Sequence, residues 1–252
     1  MFRKQRYLPL AVLLLAAPSY AEVLTVAVAS NFARPAHAIA ERFEAASDHS
    51  VRITTASTGK LYAQIVNGAP FDILLAADAE RPRLLEQSGA AVAGTRFTYA
   101  VGALTLWSRD EELAGTDCRE QLTRLGSKRL AIANPLTAPY GVASRQFLES
   151  EGLWSITEPQ LVFGENISQT LHFVVSGNAS LGLIARSQAL DVRLPEPSCQ
   201  WPVPQAMHET LEQQAVLLLR AANNDAATDF IAFLQSPAAR KIIGEHGYTV
   251  SR

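Results

Sequence analysis

Near the start of the chain, apolar segments repeatedly end in a short polar turn that opens a helical pattern, and few folds accommodate that recurrence. Leu24–Ala29 is a β-branched run that stops at Ser30-Asn31, and Val51–Thr55 stops at Ala56-Ser57-Thr58-Gly59. After the first run, Ala38, Ile39, Phe43 and Ala46 recur at helical spacing; after the second, Leu61, Ile65 and Val66 do so up to Asn67-Gly68. Ile73–Ala76 is a continuous apolar run, as expected of a buried parallel strand, and Pro82–Ser88 reads as a helix closed by Gly89. This βαβαβ order predicts a parallel sheet with helices on both faces.

The pattern then repeats. Arg96–Ser108 is an extended segment too long for one core strand, which suits a crossing between two lobes. Beyond it, Leu130–Ala133 is a strand, Asn134–Pro139 a turn, and Tyr140-Gly141 opens the helix Val142–Leu148. Leu161–Phe163 is a further strand, Asn166-Ile167-Ser168 opens a helix running to Val175, and Leu181–Ala185 is another apolar strand. Leu194–Pro204 reads as a loop, Leu211–Leu219 as the return crossing, and Ala226–Leu234 and Ala238–Gly244 as closing helices. The expected fold class is α/β: a two-lobed clamshell, each lobe a mostly parallel sheet flanked by helices, joined by two crossing strands. The expected first lobe is 22–103 plus 218–252, and the second 104–217.

Strand-to-helix turns in such sheets lie at the carboxyl ends of the strands, where ligands bind. A helix N-terminus presents unpaired N–H groups and the positive end of a dipole. Ser30-Asn31, Ser57-Thr58, Pro139-Tyr140 and Asn166-Ile167 would together form an anion trap without a cationic side chain. The bland alternative for Ser30, Asn31, Ser57 and Thr58 is simple helix capping, which these residue types favour anywhere.

Other chemistries find little support. With 22 Lys and Arg against 24 Asp and Glu, the net charge of −2 offers nothing to nucleic acid or an anionic membrane, so anion capture must come from local geometry. His37, His49, His172, His208 and His246 have no metal-ligand spacing, and there is no G-x-S-x-G elbow. Gly59-Lys60 fails as a phosphate loop, because Thr54 replaces the first glycine and Leu61 follows the lysine. Lys60 and Arg34 read as solvated helix residues, Asp72 and Asp78 as turn caps. Neither catalysis, nor a cofactor, nor a metal held by side chains is expected. Arg3, Lys4 and Arg6, the apolar run Leu8–Ala17 and Ser19-Tyr20-Ala21 form a secretory signal cut after Ala21, with a retained anchor as the alternative. Glu22 rather than a cysteine follows the cut, which argues against a lipoprotein. In an exported chain, Cys118 and Cys199 are either a disulfide or two structural thiols.

Read together, Val28-Ala29-Ser30-Asn31-Phe32, Ala56-Ser57-Thr58-Gly59, Tyr62–Pro70, Ala77-Asp78, Arg96–Ala100, Ala138-Pro139-Tyr140-Gly141 and Leu181-Gly182 resemble the periplasmic molybdate-binding proteins that feed ABC importers. The resemblance implies a periplasmic-binding-protein clamshell that holds molybdate or tungstate with neutral donors. The site residues it implies are Ser30, Asn31, Thr58 with Ser57 beside it, and the backbone N–H groups of Tyr140 and Ile167. It also implies a periplasmic monomer that hands the oxyanion to an inner-membrane ABC permease. The same fold could take another tetrahedral oxyanion, sulfate or phosphate, and a periplasmic hydrolase is the distant rival. Many members place a tyrosine donor where this chain has Ala185, and Asn31 is the expected replacement.

Overall fold

The computed structural model describes residues 23–250; the expected signal peptide lies outside the described residues. In chain order the elements are β1 (Val23–Ala29), α1 (Ala33–Glu44), β2 (Ser50–Ala56), α2 (Thr58–Val66), β3 (Ile73–Leu75), α3 (Glu80–Gln87), β4 (Phe97–Gly102), β5 (Leu104–Ser108) and β6 (Leu130–Ala133). There follow α4 (Pro139–Ser150), α5 (Trp154–Thr157), β7 (Leu161–Gly164), α6 (Ile167–Val175), β8 (Leu181–Ala185), α7 (Arg186–Ala189), β9 (Cys199–Pro202), β10 (Leu211–Leu217), α8 (Asp225–Leu234) and α9 (Pro237–Glu245). α2 ends at Gly68 (φ 85°) and α3 at Gly89 (φ 75°), positions whose left-handed backbone favours glycine.

The strands form two five-stranded sheets, ordered β2-β1-β3-β10-β4 and β7-β6-β8-β5-β9. Alternation along β1 sends Leu24, Val26 and Val28 to one face, where they pack with Ile39, Phe43, Phe230 and Ile243 of α1, α8 and α9. Ala27 faces the other side, toward Leu61 and Ile65 of α2 and Leu85 of α3. Val66, expected on the same helix face, is instead about half exposed (55%). In the second sheet, Leu106, Ile132 and Leu183 pack against Phe147 and Leu148 of α4, while Ala131 and Ile184 meet Val174 of α6. Full burial of each Leu, Ile, Val or Phe among these contributes roughly 1.5–3 kcal/mol, and truncating Phe147 or Phe230 to alanine would cost about 3–5 kcal/mol.

Both sheets are mixed, with four of the five strands in each running the same way, as expected, and one running against them. β1 runs parallel to β2 and β3, and β6 to β7 and β8, but β10 and β5 pair antiparallel with their neighbours. The reason is the crossings. β4 ends beside the cleft at Gly102, and the chain enters the second sheet from that end, so β5 must run away from the cleft, against β8. β10 enters the first sheet in the same manner. The return crossing is therefore the segment 203–210 and not the expected Leu211–Leu219, whose residues Leu211–Leu217 form β10 in the first sheet; the residues 211–217, expected in the second lobe, lie in the first. β9 replaces part of an expected loop. It is a four-residue edge strand, where the terminal Pro202 is tolerated. Cys199 at its start is bonded to Cys118, with Cα atoms 5.4 Å apart, which closes the choice left open by the sequence in favour of a disulfide.

Candidate functional site

The four turns named from the sequence meet at one small cavity between the lobes. Ser30, Asn31, Ser57 and Thr58 line it from the first lobe, and Tyr140 and Ile167 from the second, with Ala29, Ala77, Ala138 and Pro139 filling between them. No Lys, Arg, Asp or Glu is among the lining residues. Its volume of ≈ 10 Å³ lies far below the ≈ 300–1,000 Å³ typical of sites for drug-sized molecules.

Three of the four turns leave a donor free, each by a different local device. Ser57 occupies the N-cap of α2 in an extended conformation, yet its side chain makes no cap hydrogen bond, and its buried Oγ has no partner. The capping reading therefore fails for Ser57. Thr58 Oγ1 accepts from the Ala77 N–H at 3.0 Å, which ties α2 to the end of β3 and leaves the hydroxyl proton available. In α4, Pro139 has no N–H to satisfy, and the next N–H is that of Tyr140. In α6, the Asn166 side chain caps Ser168 and Gln169, so the Ile167 N–H is passed over. Gln188 Nε2 holds the Ile167 carbonyl at 3.1 Å and so fixes that turn. The N–H groups of Thr58, Tyr140 and Ile167 have no hydrogen-bond partner among the described residues.

Asn31 departs from expectation. It is buried and lines the cavity, but both protons of its amide are engaged, one with Gln213 Oε1 at 2.7 Å and one with the Tyr248 hydroxyl at 2.9 Å. The amide therefore does not replace the tyrosine donor missing at Ala185; it anchors the first turn to β10 and the C-terminal segment. Tyr248 in turn donates to the Asn31 carbonyl at 2.8 Å. Burial pushes the Tyr248 hydroxyl up to about 12, so it stays protonated and able to donate. The Tyr140 hydroxyl is also buried and held well above its ordinary value, by burial first and then by the neighbouring Tyr248 and Tyr99 hydroxyls; Tyr248 and Asn31 lie beside it, but neither makes a well-formed hydrogen bond to it. It points at Gly102 in the crossing, where any Cβ would overlap it.

Further contacts cross the cleft around the cavity, and the sequence reading missed them. Ser168 Oγ donates to the Ser30 carbonyl (3.3 Å) and Ser187 Oγ to the Asn31 carbonyl (3.2 Å). Arg34 pairs with Asp191 at 3.0 Å and Lys60 with Glu165 at 2.9 Å, so neither cation is merely solvated. The Gly59 N–H donates to the Thr137 carbonyl at 2.9 Å. The only sequence signal for this last bond was the glycine in Ser-Thr-Gly. Asp78 accepts from the Arg81 side chain at 3.2 Å and is raised by burial; it is a turn residue, as expected, and does not line the cavity.

Comparison with known proteins agrees with this geometry. Residues 24–249 match the family model described as bacterial extracellular solute-binding protein. The chain is 43% identical to the molybdate-binding protein ModA of Azotobacter vinelandii, over 93% of each chain. It is 40% identical to ModA of Rhodobacter capsulatus, over 93% of this chain and 91% of that one. The solved structure of the Azotobacter vinelandii periplasmic molybdate-binding protein superposes with a TM-score of 0.85, covering 91% of this chain and all of that one. A two-lobed α/β fold, a cavity lined by four turns at the lobe interface and identity along nearly the whole length place this chain in the family of bacterial extracellular solute-binding proteins that includes the ModA molybdate-binding proteins.

Proposed function

We propose that this protein captures molybdate, and also tungstate, in the periplasm and delivers it to an ABC transporter in the inner membrane, working as a monomer without cofactor or catalysis. One observation carries the reading: the buried, unpartnered Ser57 hydroxyl stands in an uncharged cavity beside the unpaired N–H groups of Thr58, Tyr140 and Ile167. Buried donors without partners are rare in folded proteins. Several together, drawn from three helix N-termini, suit a small anion stripped of its water.

The anion is held by Ser30, Asn31, Ser57, Thr58, Tyr140 and Ile167, with Asn31 acting through its backbone and the amide network behind it. Size supports an inorganic oxyanion over an organic phosphate or a carboxylate, which would need more room and a fixed arginine. Sulfate has the same charge and shape but is smaller, so it loses donor contacts. At roughly 1.5–3 kcal/mol per charge-assisted bond, two poor contacts give about hundredfold discrimination or more. The signal expected in residues 1–21, cut after Ala21, accounts for export.

Titration calorimetry with molybdate, tungstate, sulfate and phosphate tests this. Molybdate and tungstate bind below the micromolar range and sulfate far more weakly. Ser57→Ala weakens molybdate by roughly ten- to a hundredfold. Absence of molybdate and tungstate binding overturns the reading, and preference for sulfate or phosphate reassigns the ligand.

A further inference from the structure

We propose that Gly59 is the positioning residue that permits the lobes to close, and that no other side chain can stand there; the inference rests on the anion-capture reading above. Two adjacent N–H groups at the start of α2 have different tasks. That of Thr58 is unpaired at the cavity. That of Gly59 crosses the cleft to the Thr137 carbonyl at 2.9 Å, a bond from one lobe's backbone to the other's.

The approach leaves no room for a side chain. A Cβ on Gly59 would lie 2.7 Å from the Thr137 carbonyl oxygen, 3.1 Å from its Cα and 3.3 Å from its carbonyl carbon. All three are backbone atoms, so no rotamer change relieves the overlap. The Thr137 turn cannot retreat freely either. The Thr137 N–H is held by the Asn134 carbonyl at 3.1 Å, the Leu136 N–H by Asn134 Oδ1 at 2.9 Å, and the Asn134 N–H by the Gly164 carbonyl at 2.8 Å in the neighbouring strand. The next residue, Lys60, reaches Glu165 on the opposite lobe at 2.9 Å, so the closing contact continues along the same helix.

Gly59 does not have a positive φ; glycine is required here by the opposing lobe and not by local conformation. Within α2 alone an alanine is the better helix former. Gly59→Ala therefore has opposite effects on the two states. The ligand-free protein melts at the same temperature or slightly higher, while closure over the anion is obstructed. Overpacking of this kind predicts molybdate dissociation faster by roughly ten- to a hundredfold, with the association rate little changed.

Gly244 supplies the control. It lies in α9 without a positive φ, and nothing stands within 4 Å of its Cβ position, so Gly244→Ala alters neither rate. Stopped-flow measurement of molybdate association and dissociation for the full chain, Gly59→Ala and Gly244→Ala decides the matter. Dissociation from Gly59→Ala at the parent rate overturns the proposal. So does a fall in its ligand-free melting temperature equal to the loss of bound-state stability, since that marks ordinary damage to α2. A ligand-free readout separates this inference from the assignment of the anion. In a Lys60→Cys/Glu165→Cys background, a short bis-maleimide joins the lobes only when they meet, and adding Gly59→Ala slows the joining at least several-fold. Unchanged joining overturns the closure role, whereas failure of the parent to bind molybdate or tungstate overturns only the ligand assignment.

Discussion

Asn31 Nδ2 donates to Gln213 Oε1 across 2.7 Å, joining the first cavity turn to the strand that returns from the other lobe. Gln213 is wholly buried, and Asn31 nearly so. The bond therefore belongs to the scaffold, and a residue expected to touch the ligand through its side chain instead holds a turn that lines the cavity.

It follows that Asn31→Ala strips buried acceptors of their donor even when no anion is bound. Leaving Gln213 Oε1 unsatisfied costs about 1–3 kcal/mol. The expected result is a ligand-free melting temperature lower by several degrees, with molybdate affinity reduced as well. Thermal melts with and without molybdate check this; an affinity loss with unchanged ligand-free stability would show that the amide faces the anion.

Tyr140 presents the converse case. Its N–H is offered to the cavity, but its hydroxyl is buried without a partner and faces Gly102. Tyr140→Phe should leave molybdate affinity within a few-fold of the parent, because no well-formed hydrogen bond is lost with the oxygen. Gly102→Ala should destabilise by about 1–3 kcal/mol through overlap with that hydroxyl. Adding Tyr140→Phe should return more than ~0.5 kcal/mol of it, read from a double-mutant cycle of urea unfolding.

Acid should loosen one of the cross-cleft ion pairs. Hydrogen bonds from Arg193, with Arg34 across the cleft adding attraction, hold the Asp191 carboxyl below its ordinary value of 3.8. A depressed carboxyl stabilises the fold fully above that ordinary value, and the contribution disappears as pH falls through the lowered one. Ligand-free stability should be flat in this respect from neutral to mildly acidic pH and decline below about 4. Asp191→Asn should make that acid decline shallower. At neutral pH it should lose no more than ~1 kcal/mol, since the Arg34 partner is partly exposed. Circular-dichroism melts across the pH range measure both.

The disulfide should matter for stability and not for binding. Cys118 and Cys199 are 81 residues apart and sit in the second lobe's core, and neither lines the cavity. Replacing both with alanine should lower unfolding free energy by roughly 2–5 kcal/mol and leave molybdate dissociation at the parent rate in stopped-flow measurements.

Much of this was legible from the chain alone. β1, α1, α2, α4, α6 and β8 lie close to where periodicity and turn residues put them, because their signals are local: alternating or helical apolar spacing, a polar turn, a glycine after the last helical residue. The mixed character of the sheets was not legible, since strand direction in β5 and β10 follows from which end of a lobe the chain enters. β9 was hidden by the prolines around it and by its own terminal Pro202, which an edge strand tolerates.

The sequence by itself determined the two-lobed α/β plan and the gathering of Ser30, Ser57, Thr58, Tyr140 and Ile167 at strand ends, because a helix N-terminus carries its unpaired donors wherever the helix starts. Only the tertiary structure decided which donors stay free. Asn31 is spent on Gln213, 182 positions away, Gly59 on Thr137 across the cleft, and Lys60 and Arg34 on carboxylates of the opposite lobe. Partners so distant leave no spacing in the chain to read; they are set by how the two lobes' cores orient their turns against each other.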